Sequence, residues 1–319
     1  MKVLVTGSNG FVGQALCAVL ANQGFNVITA MREQKSIAGC KTIAVGEIDA
    51  NTDWKDALKE VDVVVHLAAR VHVMNENTQN PLAAFRKVNV AGTMHLATEA
   101  AKAGVKRLIF LSSVKVNGES TIVGSPFAFT SVANPQDAYG ISKYEAEEGL
   151  KSISKKTGLE VVIIRPPLVY GNGVKANFAN MLKLVKLGLP LPFGVIHNKR
   201  SLIYIENLTS FINTCITHPS AANNTFLVSD GDDVSTTQLL KACAFAMNKP
   251  LRLIPVPQSW LAFLFKLLGK ASMADRLLGN LQIDNTHACQ TLAWRPPYTL
   301  AQGLERTVNL VLDTDKVNS

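Results

Sequence analysis

Eight residues near the N-terminus, Thr6-Gly7-Ser8-Asn9-Gly10-Phe11-Val12-Gly13, constrain this chain more than any others. They follow a short apolar run, Val3-Leu4-Val5, and open a helix-periodic stretch over 11–23. Glycines at that spacing have separate uses. Gly7 permits a tight turn, Gly10 lets a phosphate-bearing ligand approach the backbone, and Gly13 lets the helix lie close on the strand. The helix N-terminus then offers unpaired N–H groups and the positive end of its dipole to an anion. A glycine turn without a ligand is the plainer reading, but the strand before it and the helix after it favour a bound dinucleotide.

The same strand-then-helix rhythm continues. Runs at 2–6, 25–30, 41–45, 61–66, 107–112 and 160–165 are rich in Val, Ile and Leu, as expected of parallel strands covered on both faces. Helical patterns lie between them at 11–23, 52–59, 81–103 and 137–156. Repeated βα units predict an α/β chain with a doubly wound parallel sheet, the Rossmann arrangement. After Arg165-Pro166-Pro167 the pattern changes to short segments and turn signals, with helical stretches near 235–247, 258–268 and 299–312. The expected division is therefore 1–170, a dinucleotide-binding domain, and 171–319, a smaller mixed α/β substrate region from which some chain returns to the first.

Composition narrows the class. Of 319 residues, 47% are hydrophobic and 18% charged, enough apolar material for a large core without staples. The five cysteines, at 17, 40, 215, 243 and 289, show no CxxC spacing, which points to free thiols in a reducing, cytoplasmic setting. His72, His95, His197, His218 and His287 show no metal-ligand spacing, so no metal is expected. The most apolar stretch, 260–265, ends at Lys266, too short to span a membrane. The segment 260–268 is expected to be a core or flap helix, with a face for a lipid or other apolar substrate as the alternative. Net charge is 32 − 24 = +8, and half of that excess lies between Gly171 and Pro219. Without a basic run or interleaved aromatics, this fits a phosphate-bearing small molecule rather than a nucleic acid.

Three features carry chemistry. The second strand ends in Ala30-Met31-Arg32, where an NAD site usually presents an acid to the ribose. Arg32 there favours NADP, with NAD as the alternative, since neighbouring Glu33 could reach a ribose hydroxyl. Tyr139 and Lys143, in Tyr139-Gly140-Ile141-Ser142-Lys143, share a helix face one turn apart. A Lys ammonium near the phenol would favour the phenolate and equip Tyr139 for proton transfer near neutral pH. In Leu111-Ser112-Ser113-Val114-Lys115-Val116-Asn117-Gly118, a serine stands at a strand's carboxyl end, where open α/β sheets bind ligands.

With TGSNGFVG, HLAAR (66–70), NVAGT (89–93), LSSVKVNG, YGISK and RPPLVYG (165–171) in order, the chain resembles an extended short-chain dehydrogenase/reductase of the nucleotide-sugar epimerase/dehydratase family. The resemblance covers about residues 1–310. It implies Ser113, Tyr139 and Lys143 as the catalytic set, with Lys143 also on the nicotinamide ribose. It further implies that Gly7, Asn9, Gly10, Phe11, Val12, Gly13, Arg32, Glu47, Ile48, Leu67, Ala68, Ala69 and Pro166 line the cofactor, and that His66 stands beside them. Asn177 and Arg200 resemble the family's contacts to a sugar-nucleotide diphosphate, and Arg276 is a weaker match because its spacing to Asp284 is short. A UDP-sugar and a homodimer through helices 81–103 and 138–156 are the implied partners.

Departures from the family narrow the reaction. Dehydratases of this type carry Asp-Glu after the catalytic Ser/Thr, whereas Val114-Lys115 stand here, so dehydration is not expected. Asn117 replaces a usual Tyr and would alter the sugar pocket. The expected activity is hydride transfer at C4 of a UDP-hexose, leaning to NADPH-dependent reduction of a UDP-4-keto-6-deoxy-hexosamine. The alternative is a UDP-hexose 4-epimerase with tightly held NAD. Reduction of an apolar ketone such as a steroid, or a non-catalytic dinucleotide sensor, comes behind both.

Overall fold

The computed structural model describes residues 1–71, 80–174 and 176–317. Of residues 176, 177, 272 and 309–317 it describes the backbone alone, and His72 lies outside the described residues. Seven parallel strands form the main sheet: β1 (Lys2–Thr6), β2 (Asn26–Met31), β3 (Lys41–Ala44), β4 (Val63–His66), β5 (Arg107–Leu111), β6 (Glu160–Arg165) and β9 (Thr225–Leu227). Their order is β3-β2-β1-β4-β5-β6-β9. Strand order reverses between β1 and β4, where Thr6 is in register with both Ala30 and His66. Ligands of open α/β sheets bind at such a switch point, outside the carboxyl ends of the strands.

Alternation along each strand divides the core into two layers. Val3, Val5, Val63, Val65, Ile109, Val162 and Ile164 face α1 (Phe11–Asn22) and α6 (Ile205–Thr217), meeting Leu16, Leu20, Leu208, Phe211 and Ile212. Leu4, Ile28, Val64, Leu108, Phe110, Val161 and Ile163 face the other way. There they meet α3 (Thr93–Lys102) and α4 (Ala138–Thr157) through Leu96, Ala97, Ala146 and Leu150. The expected helix at 81–103 is three pieces: α2 (Pro81–Phe85), a π-helical segment Arg86–Gly92, and α3. The expected helix at 52–59 is instead a run of turns that buries Trp54, Ala57 and Leu58. Side chains take N–H groups at and before its start: Asp49 donates to Thr52 Oγ1, Asn51 to Asp49 Oδ1 and Lys55 to Asp53 Oδ1, while Leu58 donates to the Trp54 carbonyl. Such side-chain bonds compete with helix winding.

The remaining chain builds a smaller lobe. A second sheet pairs β7 (Leu168–Tyr170) with β8 (Leu202–Tyr204). Around it Phe178 and Leu182 of α5 (Ala176–Leu187), Leu240 and Cys243 of α7 (Thr236–Ala246) and Leu304 of α11 (Leu300–Val317) close a third core. A hairpin of α8 (Gln258–Leu267) and α9 (Ala271–Leu278) stands outside that core, and α10 (Thr286–Thr291) leads back to the main sheet.

Candidate active site

The glycine loop is shaped by contacts that a Cβ would break. Gly7 has φ +69°, and a Cβ there would stand 2.6 Å from the Ala68 nitrogen. At Gly13 a Cβ would stand 2.2 Å from the Gly7 carbonyl oxygen, so α1 could not lie against β1. Gly10 differs, because its Cβ would meet only that oxygen, at 3.1 Å. The protein alone nearly tolerates a side chain at Gly10, which leaves open space over the loop for a ligand. No side chain caps α1, whose first turn carries no acid. The Ser8 hydroxyl, buried in the loop, has no partner among the described residues. A cradle of this kind fits a dinucleotide pyrophosphate.

Beyond the loop runs a cleft of about 540 Å³. Gly7, Asn9, Gly10, Phe11, Val12, Gly13, Arg32, Glu47, Ile48, Leu67, Ala68, Ala69, Tyr139 and Lys143 all line it. Ser113 and Pro166 do not. Their bonds lie in the turn after β5, where the Pro166 carbonyl accepts from the Val114 N–H at 3.0 Å and Ser113 Oγ accepts from the Lys115 N–H at 3.2 Å. Sequence reasoning did not assign Ala30, Val71, Val88, Leu111 or Ser112 to the cleft, yet they line it, as does Met31. All but Val88 follow or end a strand, a position that the fold alone marks out.

Arg32 and Glu47 approach to 3.8 Å at the mouth of the cleft, both well exposed. The β2 end therefore presents an ion pair, with the acid supplied from beyond β3, and not the lone cation that favoured NADP. Glu33 is engaged with Lys35 at 3.5 Å.

His66 lies under the floor of the cleft, not along it. Its Nδ1 is 2.7 Å from Thr6 Oγ1 and its Nε2 2.9 Å from Thr93 Oγ1. Burial first, then the charge of Lys143, push its pKa down to about 3, so the ring is neutral. Lys143 is 2% exposed, with Nζ 4.1 Å from the centre of the Phe110 ring. Burial lowers its pKa to about 7, against the opposing pull of the Glu147 carboxylate one turn on. At Tyr139 the balance runs opposite to the sequence expectation. Burial, and then the Asp137 carboxylate, push the phenol above its ordinary value.

Three arrangements hold these groups, the first half-buried and the others deeper. Asp137 caps α4 by accepting the Gly140 N–H at 2.6 Å and pairs with Lys115. Lys115, which replaces a dehydratase carboxylate, thus fixes the turn that carries Tyr139. The Asn89 amide, in the π-helical segment, exchanges hydrogen bonds with the Arg70 backbone at 2.8 and 3.1 Å and donates to Ser142 Oγ at 2.9 Å. Glu147, fully buried, accepts from Ser112 Oγ at 2.5 Å and from Arg165 at 2.9 and 2.5 Å. Arg165 also donates to Asn117 Oδ1 at 3.1 Å. Asn117 therefore steadies a buried arginine.

A second basic cluster lies away from the cleft lining. The Arg200 guanidinium donates to the Gly279 carbonyl, just past α9, at 3.1 Å. Burial, and then the neighbouring positive charge of Arg276, lower its pKa. Two guanidinium groups thus lie close enough to repel near the end of α9. Asn177 stands in the first turn of α5, and its side chain lies outside the described residues.

Comparison with known proteins agrees with this geometry. The chain is 49% identical to the UDP-glucose 4-epimerase of Vibrio cholerae, over 98% of its own length and 96% of that protein's. It is 29% identical to the N-acetyl-alpha-D-glucosaminyl-diphospho-ditrans,octacis-undecaprenol 4-epimerase of Escherichia coli O157:H7, over 96% of this chain and 94% of that one. Among solved structures, the UDP-N-acetylglucosamine 4-epimerase of Bacillus cereus superposes with a TM-score of 0.81 at 21% identity, covering 98% of this chain and 99% of that one. Residues 3–229, which hold the glycine loop, the Tyr139–Lys143 pair and every strand of the main sheet, match one family model. By that match and the Vibrio likeness, the chain belongs to the NAD dependent epimerase/dehydratase family.

Proposed function

We propose that this protein is a UDP-hexose 4-epimerase that retains NAD, with UDP-glucose and UDP-galactose as the first substrates to try. The observation that carries the reading is the 49% identity to the Vibrio cholerae UDP-glucose 4-epimerase across nearly the whole chain. It displaces the ketoreductase expected from the sequence. That expectation leaned on Arg32, and the Arg32–Glu47 pair supports NAD over NADP. Reduction of an apolar ketone has little support, because no residue of 258–268 lines the cleft.

When bound, the nicotinamide supplies the acceptor and donor of hydride at C4. Tyr139 is the group at the cleft wall able to take the proton from the C4 hydroxyl and return it. With its phenol pushed up by burial and Asp137, it needs a positive charge beside it to release that proton. Lys143 has a pKa of about 7, so it carries that charge for part of the population at neutral pH. The Ser113 hydroxyl, held by the turn that packs on α4, shares the oxygen. Epimerisation needs the ketone to present its other face, so the sugar must turn while its anchor stays fixed. Asn177, Arg200 and Arg276 are read as that anchor, on the diphosphate. Neither Arg200 nor Arg276 lines the cleft, which supports a substrate held at one end and reacting at the other. A homodimer through the 81–103 and 138–156 helices belongs to the same reading.

A diphospho-sugar carried on a lipid is the second reading. The E. coli relative is named for such a substrate, and the exposed apolar side chains of α8 favour it. Interconversion assays on UDP-glucose, UDP-N-acetylglucosamine and the lipid-linked sugar separate the carriers. Tyr139→Phe should lower kcat by about 10²–10⁴-fold with bound NAD retained. A Phe variant with near-normal turnover would remove Tyr139 from the reaction.

A further inference from the structure

The α8–α9 hairpin has apolar side chains on two sides. One side closes a small cluster, in which Leu261, Ala274 and Leu278 pack with Ile196, flanked by Phe193 and Phe265. The other has no partner among the described residues. Trp260 is 72% exposed, Phe263 69% and Leu267 72%, with Leu264, Leu268 and Met273 also open to solvent. Trp260, Phe263, Leu264 and Leu267 follow i, i+3, i+4, i+7 spacing, so they form one stripe. That stripe is where a helix of a water-soluble protein is normally polar, and contiguous apolar patches of this kind mark interaction sites. Of the expected core or flap helix, the core reading is thus corrected, since within α8 only Leu261 is buried.

The charges around the stripe say what covers it. Between Lys249 and Gly279 there are five basic residues (Lys249, Arg252, Lys266, Lys270, Arg276) and one acid, Asp275. Lys266 and Lys270 are exposed beside the stripe. A short helix with Trp, Phe and Leu outward and lysines at its border suits the boundary between lipid headgroups and acyl chains. The lysine ammonium groups would meet lipid phosphates while their stems lie along the apolar side. No helix among the described residues is long and apolar enough to cross a membrane, which leaves the surface mode.

We propose that the α8–α9 hairpin docks this protein on an anionic lipid surface, with Trp260, Phe263, Leu264 and Leu267 inserted and Lys266 and Lys270 on the headgroups. Docking there brings the Arg200–Arg276 cluster close to the lipid, because Arg276 belongs to α9 and Arg200 holds the carbonyl that follows it. The proposal does not depend on which sugar carrier the enzyme uses.

Trp260 provides its own probe. Trp54 and Trp294, the other two tryptophans, are buried. The test adds phosphatidylcholine vesicles, with or without about a third phosphatidylglycerol, to the full-length protein, reading Trp emission and co-sedimentation. The expected result is a blue shift and co-sedimentation with the anionic vesicles and far less with phosphatidylcholine alone. Trp260→Ser/Phe263→Ser should weaken partition about ten-fold or more, measured by co-sedimentation. Lys266→Glu/Lys270→Glu should do the same. Both variants should keep wild-type melting temperature and UDP-sugar turnover. No binding to anionic vesicles, or equal binding to neutral ones, would overturn the proposal. So would a dimer in sedimentation that the Trp260→Ser/Phe263→Ser variant abolishes, since the stripe would then belong to a second copy.

Discussion

The glycine-loop half of the sheet and the α8–α9 hairpin are both rich in apolar residues, yet they dispose of them in opposite ways. In the sheet, the buried strand residues meet a helix on one side or the other, and three polar networks near the cleft are engaged in depth: Thr6–His66–Thr93, Asn89–Ser142 and Ser112–Glu147–Arg165–Asn117. In the hairpin, the largest side chains point away from the protein and touch none of those networks. Interiors so engaged hold reactive groups in place. An apolar face left open is a surface for something else. Chemistry therefore belongs to the first region and attachment to the second, and substitutions should divide along that line.

The largest effect is expected at Glu147. Glu147→Ala leaves Arg165 buried without its counter-charge and Ser112 without its acceptor. It should cost about 3–5 kcal/mol, read from chemical denaturation. A loss below about 1 kcal/mol would mean that the pair is dispensable and the comparison too sharp.

Next come the glycines. Gly13→Ala forces α1 off β1 and should cost about 1–3 kcal/mol, with loss of NAD binding. Gly10→Ala should leave the melting temperature nearly unchanged while weakening NAD binding, because the space it fills is required by the ligand and not by the fold. Calorimetric titration of NAD together with thermal melts separates the two. Similar stability losses in both variants would contradict the division of roles.

Acid titration gives a graded effect, spread over several pH units. Native His66 stays neutral until about pH 3, whereas in the unfolded chain it takes a proton near 6.5. Stability should therefore fall as pH drops through that window. His66→Gln should flatten the slope, as followed by denaturation midpoints. Lys143 acts in the same sense at higher pH. Its proton leaves near 7 in the native protein and near 10.5 in the unfolded chain, so stability from this group grows as pH rises between those values. The smallest effect is expected in the hairpin, where Trp260→Ser should change stability by no more than about 0.5 kcal/mol. A larger loss would show the stripe to be covered within the protein.

How much of this could be read from the sequence follows the same division. Strands at 2–6 and 160–165 match the structure end for end, because runs buried on both faces have a composition that needs no neighbour to interpret. Helix α6 escaped notice: its Thr-, Asn- and Ile-rich sequence has weak helical preference, and packing on α1 overrides it. Strand β9 is three residues long and acquires meaning only beside β6. Tyr139, Lys143 and the glycines were legible because their spacing is local. Glu147 was not, since its partners Ser112 and Arg165 stand at the ends of two separate strands. The stripe on α8 was visible as periodicity, but periodicity does not say which side faces a core. Glu47, named only through a family resemblance, explains Arg32 once the ends of β2 and β3 lie side by side.

The central claim is that one hydride leaves C4 of the sugar and returns to the same carbon within a single binding event. Its most direct test is to incubate the purified protein, without added cofactor, with UDP-glucose carrying deuterium at C4, and to follow the sugar by NMR and mass spectrometry. The account predicts UDP-galactose with the deuterium retained at C4 and no net formation of NADH. Absence of interconversion, or a requirement for added NADPH with a 4-keto sugar reduced in equal amount, would contradict it.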